Sequence, residues 1–194
     1  MHNETKKTPL FPWHQANQAK MGVFGNYDMP LWYSTGPKEE HLAVIQKAGI
    51  FDTSHMAVIS ILGDDAFNLI QLCFTKNLAS CIGPQKKPLG FGRCVYGAFL
   101  NENGGVIDDA IVYRTGETSY LVVTNAGMGA VIANQLKKYK SENKVEITDL
   151  TDQLGKIDIQ GPKAGKVLQK IVSNPEQVLS KMPYFSFKGS FSDT

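Results

Sequence analysis

Apolar positions recur with two different spacings along the chain, and the changes between them predict an alternation of helices and strands. Pro37 and two glutamates form the first turn of a helix that ends near Gly49, because proline and acidic side chains both favour a helix N-terminus. Residues 55–62 are rich in β-branched side chains and predict a strand. A turn with two aspartates then leads into a second helix, which begins at Ala66.

The middle of the chain predicts a meander of three strands. Residues 93–100 and 106–114 flank a turn rich in Asn and Gly, which is a hairpin signal, and a second turn leads to a strand over residues 120–124. The helix that follows is expected to bury Met128, Val131, Ile132, Leu136 and Tyr139. Strands near 145–149 and 155–160 precede a last helix, expected to bury Ala164, Val167, Leu168 and Ile171.

An internal similarity organises these elements. Residues 59–71 align without a gap on residues 157–169, with two Ile, one Gly, one Ala and one Gln identical. We interpret this as a duplicated strand-turn-helix unit, the alternative being that any passage from a strand through glycine into a helix has this pattern. The predicted fold class is therefore α+β with antiparallel sheets.

The duplication predicts three consecutive segments. Residues 1–54 are an N-terminal segment, residues 55–150 are a first half of strand, helix and meander, and residues 151–194 begin the second half. Because the second copy of the repeat is not followed by a meander, we expect the second half to be truncated.

The composition is that of a globular protein, since 42% of the 194 residues are hydrophobic and the formal net charge is +2. So small a basic excess argues against nucleic-acid binding. The chain has no apolar run long enough for a bilayer and no apolar signal-peptide stretch, so we expect a cytoplasmic protein that does not use a membrane. Three cysteines favour reduced thiols, and the four histidines lack metal-ligand spacing, so no metal is expected.

The candidate chemistry lies in two adjacent carboxylates, Asp108 and Asp109, inside an otherwise apolar strand where aspartate is disfavoured. Alternation along a strand sends them to opposite faces. Asp109 would share its face with an aromatic and two branched side chains, which suits a flat heterocycle that carries amino groups. The alternative is that both aspartates bond the backbone of a turn or a loop. The two predicted faces are Val106, Asp108, Ala110 and Val112, and Ile107, Asp109, Ile111 and Tyr113.

Five segments of the chain resemble, in order and spacing, the T-protein family of the glycine cleavage system, the tetrahydrofolate-dependent aminomethyltransferases. The segments are Glu39 to Val44, Ala48 to Met56, Asn101 to Asp109, Val123 to Gly127 and Gln160 to Ala164. The resemblance extends from about Thr8 to Phe187. It implies a duplicated antiparallel-sheet-plus-helix folate-binding domain of the T-protein type, because the family's domain consists of two related α+β halves.

The resemblance also implies a reaction. A T-protein moves an aminomethyl carbon from the lipoyl arm of H-protein to tetrahydrofolate and releases ammonia, so tetrahydrofolate and lipoylated H-protein are the implied ligand and partner. One aspartate of the pair lies against the pterin in such enzymes, and we assign Asp109, with Asp108 as the alternative. The positions that match the folate pocket and its entrance are Met56, Tyr96, Ile111, Tyr113, Asn125, Tyr184 and Phe185.

The chain departs from the family pattern at several positions. Tyr27 stands where members usually have Trp, Ala110 where they have Leu, and Asp158 in a strand position that is normally apolar. These departures leave open a folate-dependent demethylase paralogue or a non-catalytic folate-binding module. A Tyr-Thr-Gly-Glu segment and a C-terminal β-domain of the family would lie beyond Thr194, so we expect this chain alone to transfer poorly or not at all.

Overall fold

The computed structural model describes residues 4–140 and 144–189. Its strands are β1 (Lys6–Lys7), β2 (Lys20–Phe24), β3 (Tyr27–Trp32), β4 (Gly49–Asp52), β5 (Met56–Leu62), β6 (Cys94–Leu100), β7 (Val106–Arg114), β8 (Ser119–Ala126), β9 (Glu146–Asp149) and β10 (Ile157–Gln160). Its α-helices are α1 (Phe11–Ala16), α2 (Gly36–Gln46), α3 (Ala66–Cys73), α4 (Gly129–Tyr139), α5 (Ala164–Leu168) and α6 (Pro175–Leu179).

The described chain divides into two compact units, each made of separate stretches of sequence. The N-terminal unit contains residues 4–55 and 154–181, and the meander unit contains residues 56–140, 144–153 and 182–189. Each unit therefore depends on contacts between residues that are far apart along the chain.

The last predicted segment, 151–194, is accordingly divided between the units. Its first part contributes β10, which pairs antiparallel with β4 in the N-terminal unit. Residues 182–189 belong to the meander unit, where the backbone N–H of Cys94 donates to the carbonyl of Phe185 at 3.0 Å. Strand pairing between distant residues, rather than position along the chain, decides where each part lies.

In the N-terminal unit, β2 and β3 form a hairpin and β1 pairs parallel with β3. The hairpin has a two-residue loop, Gly25 and Asn26, whose φ angles of 54° and 69° lie in the left-handed region. Such a loop matches the right-handed twist of the flanking strands, and glycine and asparagine tolerate it best. A short loop of this type sets the register of the hairpin.

A buried polar network links distant segments of the same unit. The ring of His14 is 3% exposed and lies between the Tyr33 hydroxyl, at 2.8 Å from Nδ1, and Asp52 Oδ2, at 2.9 Å from Nε2. The Thr8 hydroxyl and the Ser54 backbone N–H also donate to the Asp52 carboxylate. Burial alone would raise the pKa of Asp52, but the hydrogen bonds from His14, Thr8 and Ser54 outweigh it and lower that pKa.

The meander unit contains a five-stranded antiparallel sheet in the order β6-β7-β8-β5-β9. The predicted meander is thus present as three adjacent strands. Helices α3 and α4 share one hydrophobic core with the sheet, and the apolar side chains that alternate along the strands supply the rest of it. Its fully buried members include Ile59, Ile61, Ile70, Phe99, Val112, Tyr120, Val122, Ile132 and Leu136.

Two predicted helix faces differ from the structure. Helix α4 buries Gly129, Ile132, Ala133 and Leu136, whereas Val131, one position off that stripe, is 45% exposed. Tyr139 also lies largely outside the core, at the end of α4. Ile171 is exposed because α5 ends at Leu168, before the predicted apolar face is complete.

The repeated segments, residues 59–71 and 157–169, have the same local structure, as predicted. Each strand is followed by a glycine with a positive φ, 129° at Gly63 and 115° at Gly161. The residues before α3 and α5 have φ and ψ of −99° and 8° and of −105° and 7°. A β-carbon at either glycine would collide with backbone, so both turns require glycine for the same two reasons.

The structure extends the repeat beyond the aligned residues. Strand β5 pairs with β9 in the meander unit, and β10 pairs with β4 in the N-terminal unit. Each of these partner strands ends in an aspartate, Asp149 or Asp52, that accepts a hydrogen bond from the backbone N–H two residues later, in Thr151 or Ser54. Each unit thus contains one strand-glycine-helix element paired with one strand-aspartate turn.

Among the helices of residues 4–140 and 144–189, none combines the length and the apolar character that crossing a bilayer requires.

Candidate functional site

Three neighbouring strands bring together the polar side chains of the candidate site. Tyr96 lies on β6, Asp109 on β7 and Asn125 on β8. The Tyr96 hydroxyl donates to Asp109 Oδ2 at 2.8 Å, and Asn125 Nδ2 donates to Asp109 Oδ1 at 2.8 Å. Each oxygen of one carboxylate is therefore held by a donor from a different strand.

These contacts set the charge of Asp109. The hydrogen bond from Tyr96 lowers the pKa of Asp109, partial burial opposes this, and the bond from Asn125 lowers it further. The same bond and the nearby Asp109 charge raise the pKa of Tyr96. At neutral pH the pair is thus a carboxylate and a protonated phenol, on a face where Tyr96 is 52% exposed.

Asp108 occupies the opposite, buried face of β7 and is 8% exposed. Its two oxygens accept hydrogen bonds from one residue, Asn125, whose backbone N–H lies at 2.9 Å from Oδ2 and whose Nδ2 lies at 2.8 Å from Oδ1. The turn at residues 101–105 is organised instead by Asn101, whose side-chain oxygen accepts from the backbone of Asn103 and Gly105. Asp108 thus bonds Asn125 on β8, and the predicted alternative, in which the aspartates bond the backbone of that turn, is not observed for it.

The predicted alternation of faces holds from Asp108 onward but fails before it. The pairing of β6 with β7 shifts register beyond Phe99, so that Phe99 pairs with Asp108 and Leu100 pairs with Val106. This bulge turns Val106 to solvent, where it is 68% exposed, and lets Ile107 pack against the core. Ile107 thus does not share the face of Asp109, in contrast to the prediction.

Other predicted site residues lie near this cluster along the strands. Ile111 pairs with Tyr96 and with Val123, and Met56 pairs with Ala126, which follows Asn125. The ring of Tyr113 packs edge-on against Phe187 at a centroid distance of 5.7 Å.

The aromatic pair Tyr184 and Phe185 lies beside the start of β6. Their ring centroids are 4.6 Å apart, and Tyr184 is 86% exposed. Arg93 holds residues 184–185 against the start of β6, because its guanidinium donates to the carbonyls of both Tyr184 and Phe185. Phe185 has a φ of 54°, a conformation that these backbone bonds support.

Sequence reasoning missed three contributors to this region: the link from Asp108 to Asn125, the ring of Phe187 on Tyr113, and Arg93. The second has no local sequence signal, because the left-handed backbone of Phe185 breaks the alternation of an extended segment just before Phe187. The other two depend on residues that lie far apart in sequence.

A cavity of about 290 Å³ lies elsewhere in the meander unit, and the predicted site residues do not line it. Its walls are Leu72, Cys73, Phe74, Thr75, Leu100, Asn101, Glu102, Gln135 and Tyr139. The folate pocket that the family resemblance implies at Ile111 and Tyr113, beside Asp109, stays a prediction. Within residues 4–140 and 144–189, no three His, Cys, Asp or Glu side chains cluster as a metal site requires.

The fold matches that of a solved protein, the glycine cleavage system aminomethyltransferase T from Bartonella henselae. The TM-score is 0.80 at 29% sequence identity, over 93% of this chain and 46% of that one. A protein with this arrangement of sheets and helices is of the T-protein class. The chain belongs to the family described as the GCVT N-terminal domain, which matches residues 10–191. The predicted family and the predicted α+β fold are confirmed.

Two curated relatives of this chain are also named aminomethyltransferases. The aminomethyltransferases of Thermotoga sp. strain RQ2 and of Thermotoga maritima are 37% and 36% identical over 185 residues. Each alignment covers 95% of this chain and 48% of the relative. The chain therefore spans about half the length of the curated relatives that it matches.

Proposed function

We propose that this chain is the folate-binding part of a cytoplasmic T-protein. Such a protein transfers the aminomethyl carbon from the lipoyl arm of its partner H-protein to tetrahydrofolate and releases ammonia. The observation that carries the proposal is the cluster of Tyr96, Asp109 and Asn125 in a chain of the GCVT N-terminal domain family. The relatives named aminomethyltransferase support the reaction class.

The hydrogen-bonding capacity of the cluster fits a reduced pterin. The single hydroxyl hydrogen of Tyr96 and both amide hydrogens of Asn125 are already donated to carboxylates. The groups that remain for a ligand are acceptors: the phenolic oxygen, the amide oxygen and the Asp109 carboxylate. They would bind a ligand rich in N–H groups, and the half-exposed ring of Tyr96 offers it an aromatic face.

Within this proposal Asp109 is the catalytic residue. Tetrahydrofolate supplies the nitrogen that accepts the one-carbon unit. The ionised carboxylate of Asp109 would hold the N–H of that nitrogen and take up its proton, as a positioned general base does. Met56, Ile111, Tyr113, Tyr184 and Phe185 would form the surrounding walls, by the family resemblance.

Calorimetric titration with tetrahydrofolate tests the ligand, with a simple adenine nucleotide as the control compound. We expect tetrahydrofolate to bind and the adenine nucleotide not to bind. Asp109→Asn should weaken binding only about fivefold, because one charge-assisted hydrogen bond becomes neutral while apolar contacts persist. Asp64→Asn removes the same charge from an exposed position of the same unit and should leave binding unchanged.

A transfer assay with lipoylated H-protein, in a protein that contains both halves, tests the reaction. We expect Asp109→Asn to reduce the rate by about 10²–10⁴-fold, the usual scale for a positioned acid-base group. Absence of tetrahydrofolate binding would contradict the folate assignment. Binding without any transfer would favour the non-catalytic folate-binding module instead.

A further inference from the structure

One amide group connects the two carboxylates of β7. Asn125 Nδ2 lies 2.8 Å from Oδ1 of Asp108 and 2.8 Å from Oδ1 of Asp109. An amide nitrogen has two hydrogens, so each carboxylate receives one of them. Asp108 lies on the core face of β7 and Asp109 on its open face, so Asn125 links a buried charge to an accessible one.

The buried end of this link is the better fixed. Asp108 accepts both the backbone N–H and the side-chain amide of Asn125, which closes a ring between two residues of adjacent strands. Such a ring restricts the side-chain rotation of Asn125, and burial of Asp108 strengthens both bonds. The amide nitrogen of Asn125 is therefore directed towards the two carboxylates, and the amide oxygen is directed away from them.

We propose that Asn125 is a positioning residue, which the buried carboxylate of Asp108 anchors and which in turn orients the carboxylate of Asp109. The inference rests on the proposed function, because it explains how the catalytic carboxylate of that reaction is held. Tyr96 on β6 and Asn125 on β8 each donate a hydrogen bond to one oxygen of Asp109, from the two sides of β7. The carboxylate is thus preorganised before a ligand arrives, which is how a positioned base gains efficiency.

The titratable groups that face Asp109 within the described residues are Tyr96, through a direct hydrogen bond, and Asp108, through Asn125. A variant that changes the charge of Asp108 therefore also changes the field at Asp109. For this reason the decisive pKa measurement uses variants that remove a donor and leave every charge in place.

The first test is a ¹³C NMR titration of the Asp109 carboxyl carbon in this chain. Asn125→Ser shortens the side chain and removes the amide donor, and Tyr96→Phe removes the other donor. Each variant should raise the pKa of Asp109, since each removes a hydrogen bond to the charged form. Asp64→Asn is the control and should leave the titration of Asp109 unchanged. An unaltered pKa of Asp109 in Asn125→Ser would overturn the inference, because a merely structural asparagine would not affect it.

The second test measures solvent exchange of the side-chain amide protons of Asn125, assigned by their disappearance in Asn125→Ser. Asp108→Asn removes the anchoring charge and should accelerate this exchange at least about tenfold, because a neutral partner holds the amide less firmly. Equal exchange rates with and without the Asp108 charge would remove Asp108 from the inference. Should Asp108→Asn not fold, the Asn125→Ser titration alone decides whether Asn125 orients the carboxylate of Asp109.

Binding of tetrahydrofolate separates this inference from the proposed function. Asn125→Ser also removes the amide oxygen proposed to accept from the ligand, so we expect it to weaken tetrahydrofolate binding, and only binding by the unaltered chain tests the proposed function. If the unaltered chain does not bind tetrahydrofolate, the proposed function fails. The pKa of Asp109 still decides whether Asn125 positions the carboxylate.

Discussion

Gly161 provides a quantitative test of the repeat. Its φ of 115° is a conformation that side chains with a β-carbon rarely adopt, which costs about 1–3 kcal/mol for a substituted residue. A β-carbon there would lie 2.8 Å from the Lys47 carbonyl oxygen and 3.0 Å from the Ala48 Cα. Both distances are shorter than ordinary contacts, which begin at about 3.3 Å between carbon and oxygen and about 3.5 Å between two carbons. Moving backbone aside costs roughly another 1–3 kcal/mol. Gly161→Ala should therefore destabilise the N-terminal unit by about 2–6 kcal/mol.

Urea unfolding followed by circular dichroism measures this effect, with two matched controls in the same unit. Gly36 also has a positive φ, 81°, but open space around it, so Gly36→Ala should show the conformational cost alone. Gly165 lies in α5 with no atom within 4 Å of a new β-carbon, so Gly165→Ala should be neutral or stabilising by up to about 1 kcal/mol. If Gly161→Ala is no more than about 0.5 kcal/mol more destabilising than Gly36→Ala, the close-approach argument is wrong.

The equivalent glycine of the meander unit, Gly63, should behave in the same way. A β-carbon there would lie 3.0 Å from the Lys144 carbonyl carbon and 3.1 Å from the Val145 Cα, and the φ is 129°. If Gly63→Ala left the free energy of unfolding unchanged while Gly161→Ala lowered it, the two turns would be alike in geometry but not in their energetic requirement for glycine.

Three further predictions concern buried polar and thiol groups. His14→Ala should lower the free energy of unfolding by about 2–4 kcal/mol in urea denaturation, because the buried Asp52 carboxylate and the partly buried Tyr33 hydroxyl each lose a hydrogen bond. A loss below about 0.5 kcal/mol would contradict this. The lowered pKa of Asp52 means that its contribution to stability is present above the ordinary carboxyl pKa and is lost as pH falls through the folded value. Urea unfolding between pH 6 and about pH 2 should show this acid loss, and Asp52→Asn should flatten it. Burial raises the pKa of Cys73 and of Cys94 to about 11, so iodoacetamide at pH 8 should label the denatured chain much faster than the folded one. Equal labelling rates would refute the burial argument.

The sequence alone determined the elements whose signals lie within a few residues. The hairpin signal before β7 predicts the meander of β6, β7 and β8, because turn chemistry and alternation are local. The same alternation correctly places Asp108 and Asp109 on opposite faces. Five short motifs were enough to identify the family, because they are specific in their order and spacing.

Tertiary structure decided everything that joins distant residues. The pairing of β4 with β10 and the attachment of Phe185 to Cys94 depend on free-energy differences between alternative pairings, which no local pattern encodes. The bulge that turns Val106 outward arises from the register between two strands. The position of Asn125 between two carboxylates is also non-local, because β8 must lie beside β7 in one register before its amide can reach both.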